Sequence, residues 1–175
     1  MKSFLAKIVG SAFIAVIATG AMAQQSTNRV AAKTDWSVFV EDDPTECWAV
    51  SSPKETVNTK DGRVVAVRRS EILLFVSYRP GSSVKSELSF LGGYPFAKGS
   101  TVTANISGND FEFFTSGENA WPASPAEDAK IIAAMKRGAE VTFTGRSGRG
   151  TVTKDTFSLL GFTAAVEEAA KRCAK

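Results

Sequence analysis

Along most of this chain apolar and polar residues alternate with a period of two, and turn-forming residues punctuate the runs. Trp36-Ser37-Val38-Phe39-Val40 opens the pattern as a strand. Glu41-Asp42-Asp43-Pro44 turns the chain, and Cys47-Trp48-Ala49-Val50 begins the next extended run, closed by Ser51-Ser52-Pro53. Asp61-Gly62 marks a hairpin, because both residue types tolerate the positive φ of a tight turn. Ile72-Leu73-Leu74-Phe75-Val76 is apolar on both faces, which predicts a strand buried in the middle of the domain. A buried helical segment is the alternative, and Pro80-Gly81 ends the run too soon for it. Residues 86–91 set Leu88 and Phe90 against Glu87 and Ser89, until Gly92-Gly93-Tyr94-Pro95 breaks the run. Val102, Ala104 and Ile106 share one face, and residues 111–115 follow across a Ser107-Gly108-Asn109-Asp110 turn as the second arm of a hairpin. Residues 141–144 and 151–157 read as two more strands, joined by Gly145-Arg146-Ser147-Gly148-Arg149-Gly150.

Two segments change period. Ser124 is placed to cap a helix that has Pro125 at its first position and Glu127 at its third. Ile131, Ile132 and Met135 form its apolar stripe, and Gly138 stops it. Near the end Phe162, Val166, Ala169, Ala170 and Cys173 recur at helical spacing, which puts the cysteine on the buried face of a last helix. Many short strands and two short helices, one C-terminal, predict a mainly β fold, an antiparallel sandwich or barrel. A doubly wound α/β fold suits the order less well, because helices do not alternate with strands.

The first residues are of another kind. Lys2 and Lys7, an apolar run from Ile8 to Ala18, and Ala21-Met22-Ala23 make a secretory signal peptide over residues 1–23. An uncleaved anchor is the alternative, which the short run and its small-residue exit disfavour. Residues 24–34 then read as a flexible leader, and 35–175 as one β-rich domain. The whole chain carries 21 Lys+Arg against 18 Asp+Glu. Without Lys2 and Lys7 the balance is 19 to 18, a net charge of +1, which gives no general pull toward nucleic acid.

The chain contains no histidine. That excludes a Ser-His-Asp triad, a Cys-His pair and any His-ligated zinc or haem. Cys47 and Cys173 are too far apart for a CxxC redox motif, and in an oxidising compartment they read as one disulfide. Glu41-Asp42-Asp43 lacks the spacing of a calcium loop. Glu112, Glu118, Asp128 and Asp155 are a catalytic pair only if two of them meet in space, which spacing along the chain does not decide. The expectation is therefore no catalytic residue, no metal and no cofactor.

Three residues are candidate ligand contacts. Arg146 and Arg149 sit in a glycine-rich turn that could offer guanidinium and backbone N–H donors to an anion. The turn lacks the Gly-Lys-Ser/Thr ending of a phosphate loop, and a hairpin turn with solvated arginines is the plainer reading. Trp121 lies before Pro122, in a stretch read as a loop, where it could stack on a sugar. Trp48, next to Cys47, reads as core packed on the disulfide.

The C-terminal run Asp155-Thr156-Phe157-Ser158-Leu159-Leu160-Gly161-Phe162-Thr163-Ala164-Ala165, leading to Cys173, resembles the end of the invasion-associated locus B family. The Trp36 strand followed by Cys47-Trp48, and the glycine-rich turn before the last strand, resemble the same family's pattern. The resemblance implies an exported Gram-negative protein, periplasmic or at the outer membrane, with a compact β-rich domain and no established catalytic residues. It suits a non-catalytic interaction protein with an envelope or host protein as partner. A periplasmic small-ligand or glycan-binding module is the alternative.

Overall fold

The computed structural model describes residues 27–43, 45–82 and 84–174. The segment read as a signal peptide lies outside these residues. Among the described residues twelve strands form one continuous antiparallel sheet. They are β1 (Arg29–Lys33), β2 (Trp36–Asp42), β3 (Thr45–Ser51), β4 (Glu55–Lys60), β5 (Arg63–Val64) and β6 (Leu73–Arg79). Then come β7 (Val84–Leu91), β8 (Thr101–Ile106), β9 (Asn109–Ser116), β10 (Asn119–Trp121), β11 (Glu140–Arg146) and β12 (Val152–Ser158). Helix α1 (Pro125–Met135) joins β10 to β11, and α2 (Phe162–Cys173) ends the chain. The sheet order is β1-β2-β3-β6-β7-β10-β9-β8-β11-β12-β4-β5, so β1 and β5 are its edges among the described residues.

The sheet does not lie flat. Strands β7 and β11 stand four places apart in it, about 19 Å at the usual strand spacing. Yet the rings of Phe90 on β7 and Phe143 on β11 stack at 4.4 Å, and Phe157 of β12 meets both edge-on. The sheet therefore curls so that its inner face packs on itself. At the seam Trp36 of β2 donates its indole N–H to the carbonyl of Ser158, at the end of β12. The inner face is the alternate set that the period-two pattern predicts: Trp36 and Val38, Leu74 and Val76, Val102 and Ala104 are all buried.

Helix α2 lies over the inner face of β1–β3 and β6. Phe162 packs edge-on to Trp36, and Cys173 is bonded to Cys47. Gly161 starts the helix at φ +88, where a Cβ would overlap the backbone of Lys33. Only glycine allows both that left-handed turn and that approach. Helix α1 is capped as its sequence predicts, with Ser124 Oγ accepting from the Glu127 N–H. The reciprocal half of the capping box is replaced, because Glu127 pairs with Lys130 instead. On its buried side Asp128 accepts the Leu88 N–H at 2.9 Å, satisfying a strand donor just beyond the end of β10.

Burial pushes the Asp128 carboxyl above its ordinary 3.8, partly offset by the Leu88 N–H. A raised folded pKa favours the folded state below pH 3.8, and that contribution is lost as pH rises through the folded value. Asp128→Asn removes it while keeping an acceptor oxygen. Urea unfolding of both proteins between about pH 4 and about pH 7 should show the stability difference moving in the variant's favour as pH rises. A difference that stays flat would contradict the burial account.

Three expectations change. Part of the segment read as a flexible leader, Arg29–Lys33, is a strand paired with β2; it shows no period-two apolar stripe because most of it is exposed at an edge. The run expected to be buried on both faces is internal to the sheet, but Leu73 and Phe75 remain half-exposed while α2 covers the face of Leu74 and Val76. Trp48 does not pack on the disulfide. Strand neighbours point to opposite faces, so Trp48 lies outside, half-exposed and stacked on Phe39 at 5.6 Å.

Candidate functional site

Three irregular segments meet at one end of the roll: the loop 65–72 between β5 and β6, the break at 92–97 after β7, and the turn between β11 and β12. Each is irregular for a reason in its sequence. Arg68-Arg69-Ser70-Glu71 cannot continue a half-buried strand, Gly92-Gly93 and Pro95 interrupt β7, and Gly148 and Gly150 reverse β11. Between them lies a cleft of about 460 Å³, with Arg68, Arg69, Tyr94, Glu118, Ser147 and Arg149 in its wall. That is within the size range of small-molecule sites, about 300–1,000 Å³.

The base of the cleft is an ion pair. Asp155 is fully buried, on the same face of β12 as Phe157, because two residues make one strand period. Arg69 reaches it in bidentate fashion, at 2.7 Å and 2.6 Å. Its remaining N–H groups go to the Gly92 carbonyl, at 3.0 and 2.6 Å, and to Asn58 Oδ1 at 3.4 Å. All five guanidinium donors are thus committed, and only 6% of the Arg69 side chain is exposed. Arg69 ties the 65–72 loop to β12 and to the end of β7.

Tyr94 stands beside this pair. The Arg69 guanidinium lies 4.9 Å from its ring centre, and its hydroxyl bonds Thr153 Oγ1 at 2.7 Å. Burial raises the Tyr94 phenol above its ordinary 10.0, more than the Thr153 hydroxyl and the Arg69 charge lower it. The ring closes on β11 because position 145 is glycine. A Cβ there would come within 2.9 Å of the Tyr94 hydroxyl and of the Phe96 ring.

The rim carries charge. Arg68 and Arg149 are exposed, and neither has an ion-pair partner among the described residues. Glu118 accepts from the Ser70 hydroxyl at 3.1 Å. The backbone of the glycine-rich turn contributes less than its composition suggested. Ser147 N–H donates to the Thr151 carbonyl, Gly148 N–H to Pro95, and Gly150 N–H to Ser147. The Thr151 N–H donates to Ser147 Oγ. These four donors are taken up in holding the turn and docking it on Pro95, which leaves the guanidinium groups as the main donors to an anion here.

Of the three candidate ligand contacts the structure brings only Arg149 into the cleft. Arg146, the last residue of β11, is exposed outside the cleft wall while its carbonyl accepts from Ala97. Trp121 is not in a loop: it ends β10, half-buried, opposite the exposed Phe114 of β9, and is absent from the cleft wall. The sequence named Asp155 only as one of four carboxylates that could pair with each other, and it gave no sign that Asp155 meets Arg69 or that Tyr94 stands beside them. Among the described residues no three acidic or sulfur side chains converge as a metal site.

The chain is similar in fold to the crystal structure of invasion associated protein B from Bartonella henselae. The TM-score is 0.58 at 13% identity, over 83% of this chain and 98% of that one. Among curated proteins none matches the sequence. No helix among the described residues is long and apolar enough to cross a membrane. The sequence profile of the Invasion associated locus B protein family matches residues 36–170, from the Trp36 strand to the last helix. The chain belongs to the invasion-associated locus B family.

Proposed function

We propose that this protein is an exported, non-catalytic binding domain of the bacterial envelope, which engages its partner through the cleft beside Arg69. The observation that carries the reading is the cleft itself, a concave site whose rim holds two guanidinium groups without an ion-pair partner among the described residues, over a base tied by the Arg69–Asp155 pair. The groups inside it support binding over chemistry. Arg69 and Asp155 hold each other, and the raised Tyr94 phenol keeps its proton at neutral pH. The Cys47–Cys173 bond suits an oxidising compartment, in keeping with the signal-peptide pattern.

Gly148 offers a way to test it, because a side chain built there meets nothing within 4 Å. A photo-crosslinking residue at position 148 in the expressed protein should yield an adduct with an envelope component. The same residue at exposed position 140, at the far end of β11, should not. Equal labelling from both positions, or adducts only from position 140, would remove the cleft from the account.

A further inference from the structure

We propose that the cleft takes an acidic saccharide, a sugar ring bearing a carboxylate or phosphate group. This names the ligand class of the site described above and rests on that reading.

The charge in the wall is asymmetric. Three arginines and one glutamate line it. Arg69 is neutralised by Asp155, and Glu118 is engaged by Ser70. Arg68 and Arg149 remain, one from each of two separate segments, as exposed guanidinium groups without a carboxylate partner among the described residues. A guanidinium fork matches the two oxygens of a carboxylate or phosphate, and here it needs no partner to be displaced. The body of the ligand is set by the rest of the wall. Val67 and Pro95 are apolar, Tyr94 is aromatic, and Ser147 carries a hydroxyl. Sugars suit such a mixture, because their hydroxyls exchange hydrogen bonds while their C–H faces rest on apolar and aromatic surface.

Two alternatives fit less well. A bare inorganic anion would fill a small part of about 460 Å³ and leave the apolar wall wet. A nucleic acid strand would need a longer basic track than two arginines on a domain of near-neutral charge. The acidic sugar can arrive free in solution or as the headgroup of a lipid, since the recognised chemistry is the same.

The oxidised protein is titrated by calorimetry with glucuronate, glucose 6-phosphate, glucose and inorganic phosphate. In a second arm it is floated with phosphatidylcholine vesicles, with and without a phosphorylated disaccharide lipid. The expected result is binding of the acidic sugars, of the phosphorylated-lipid vesicles, or of both. Binding in the first arm alone assigns a soluble source, and flotation alone a lipid-borne one. Glucose and inorganic phosphate should bind at least about tenfold more weakly than the acidic sugars, and plain vesicles should not float the protein. Arg68→Ala and Arg149→Ala should each weaken the interaction at least about tenfold and leave the melting temperature unchanged, because both side chains are exposed. Salt raised from about 50 to about 500 mM should weaken it further.

The ligand class is overturned if no acidic probe binds in either arm. It is overturned equally if glucose or phosphate binds as tightly as the acidic sugars, or if the Arg68→Ala/Arg149→Ala double variant binds like the wild type. The crosslink at position 148 separates the two levels. An adduct there with no acidic sugar bound leaves the cleft reading standing and removes the ligand class. Neither adduct nor binding removes both.

Discussion

Replacing Cys47 and Cys173 together by serine is expected to lower the free energy of unfolding by about 4–5 kcal/mol. The bond joins residues 126 apart, from β3 to the last residue of α2, so it closes most of the folded chain into one loop. In the chain-entropy view a loop of that length restricts the unfolded chain by about 5 kcal/mol, and part of this offsets local distortion. The native contacts it reinforces are those of α2 with β1–β3 and β6. Without the bond Phe162 still packs on Trp36, and Ala165, Val166 and Ala169 remain buried. The variant should therefore fold and unfold cooperatively at a lower urea midpoint with nearly the same near-ultraviolet dichroism. An unchanged midpoint, with two free thiols titrating in the wild type, would remove the bond from the account.

The second large effect is at the base of the cleft. Arg69→Met or Asp155→Leu alone should each cost about 3–5 kcal/mol, because either change leaves one charge buried without its partner. The double variant should cost clearly less than the two singles together. What remains is the Gly92 carbonyl, which loses both of its Arg69 donors, about 1–3 kcal/mol. A double-mutant cycle by urea unfolding measures this coupling. Additive effects would mean that Arg69 and Asp155 are held independently, and the cleft would lose its rigid base. The pair also has a functional consequence. It fixes the 65–72 loop, so either single change should loosen Arg68 even where the domain stays folded.

Much of the fold was legible because the period-two pattern is strong wherever one face of the sheet is buried. Leu88 and Phe90, Val102 with Ala104 and Ile106, and Val141 with Phe143 all point inward as their spacing predicts. The Asp61-Gly62 hairpin formed with positive φ at both residues. Ser124 caps α1, and Cys173 sits on the buried face of α2. What escaped lies at edges and in short pieces. Strand β1 has exposed Arg29, Val30 and Ala32 and so shows no apolar stripe, and β10 is only three residues long. Trp48 escaped because its neighbour in sequence is not its neighbour in space.

The cleft was legible only in fragments. Arg149 could be named from the glycine-rich turn, but the Ser147, Gly150 and Thr151 N–H groups close within the turn and that of Gly148 goes to the Pro95 carbonyl. Arg68 and Arg69 are adjacent in a loop, where one stays at the rim and the other goes inside, and adjacency alone does not say which. A signal for Asp155 was available. It shares the strand face of Phe157 and Thr153, and an acidic residue on a buried face requires a cation. Which cation it takes is decided by the curl of the sheet, 86 residues away in sequence, and no local pattern carries that.

The measurement that tests the central claim most directly is an amide-shift map of the oxidised, isotope-labelled protein, recorded with and without detergent-solubilised envelope extract. The account predicts changes concentrated in residues 67–70, 93–95 and 147–153, around the cleft, and abolished by Arg68→Ala/Arg149→Ala. Changes confined to Phe39, Trp48 and Phe75 would contradict it and move the binding surface to the outer face of β2, β3 and β6.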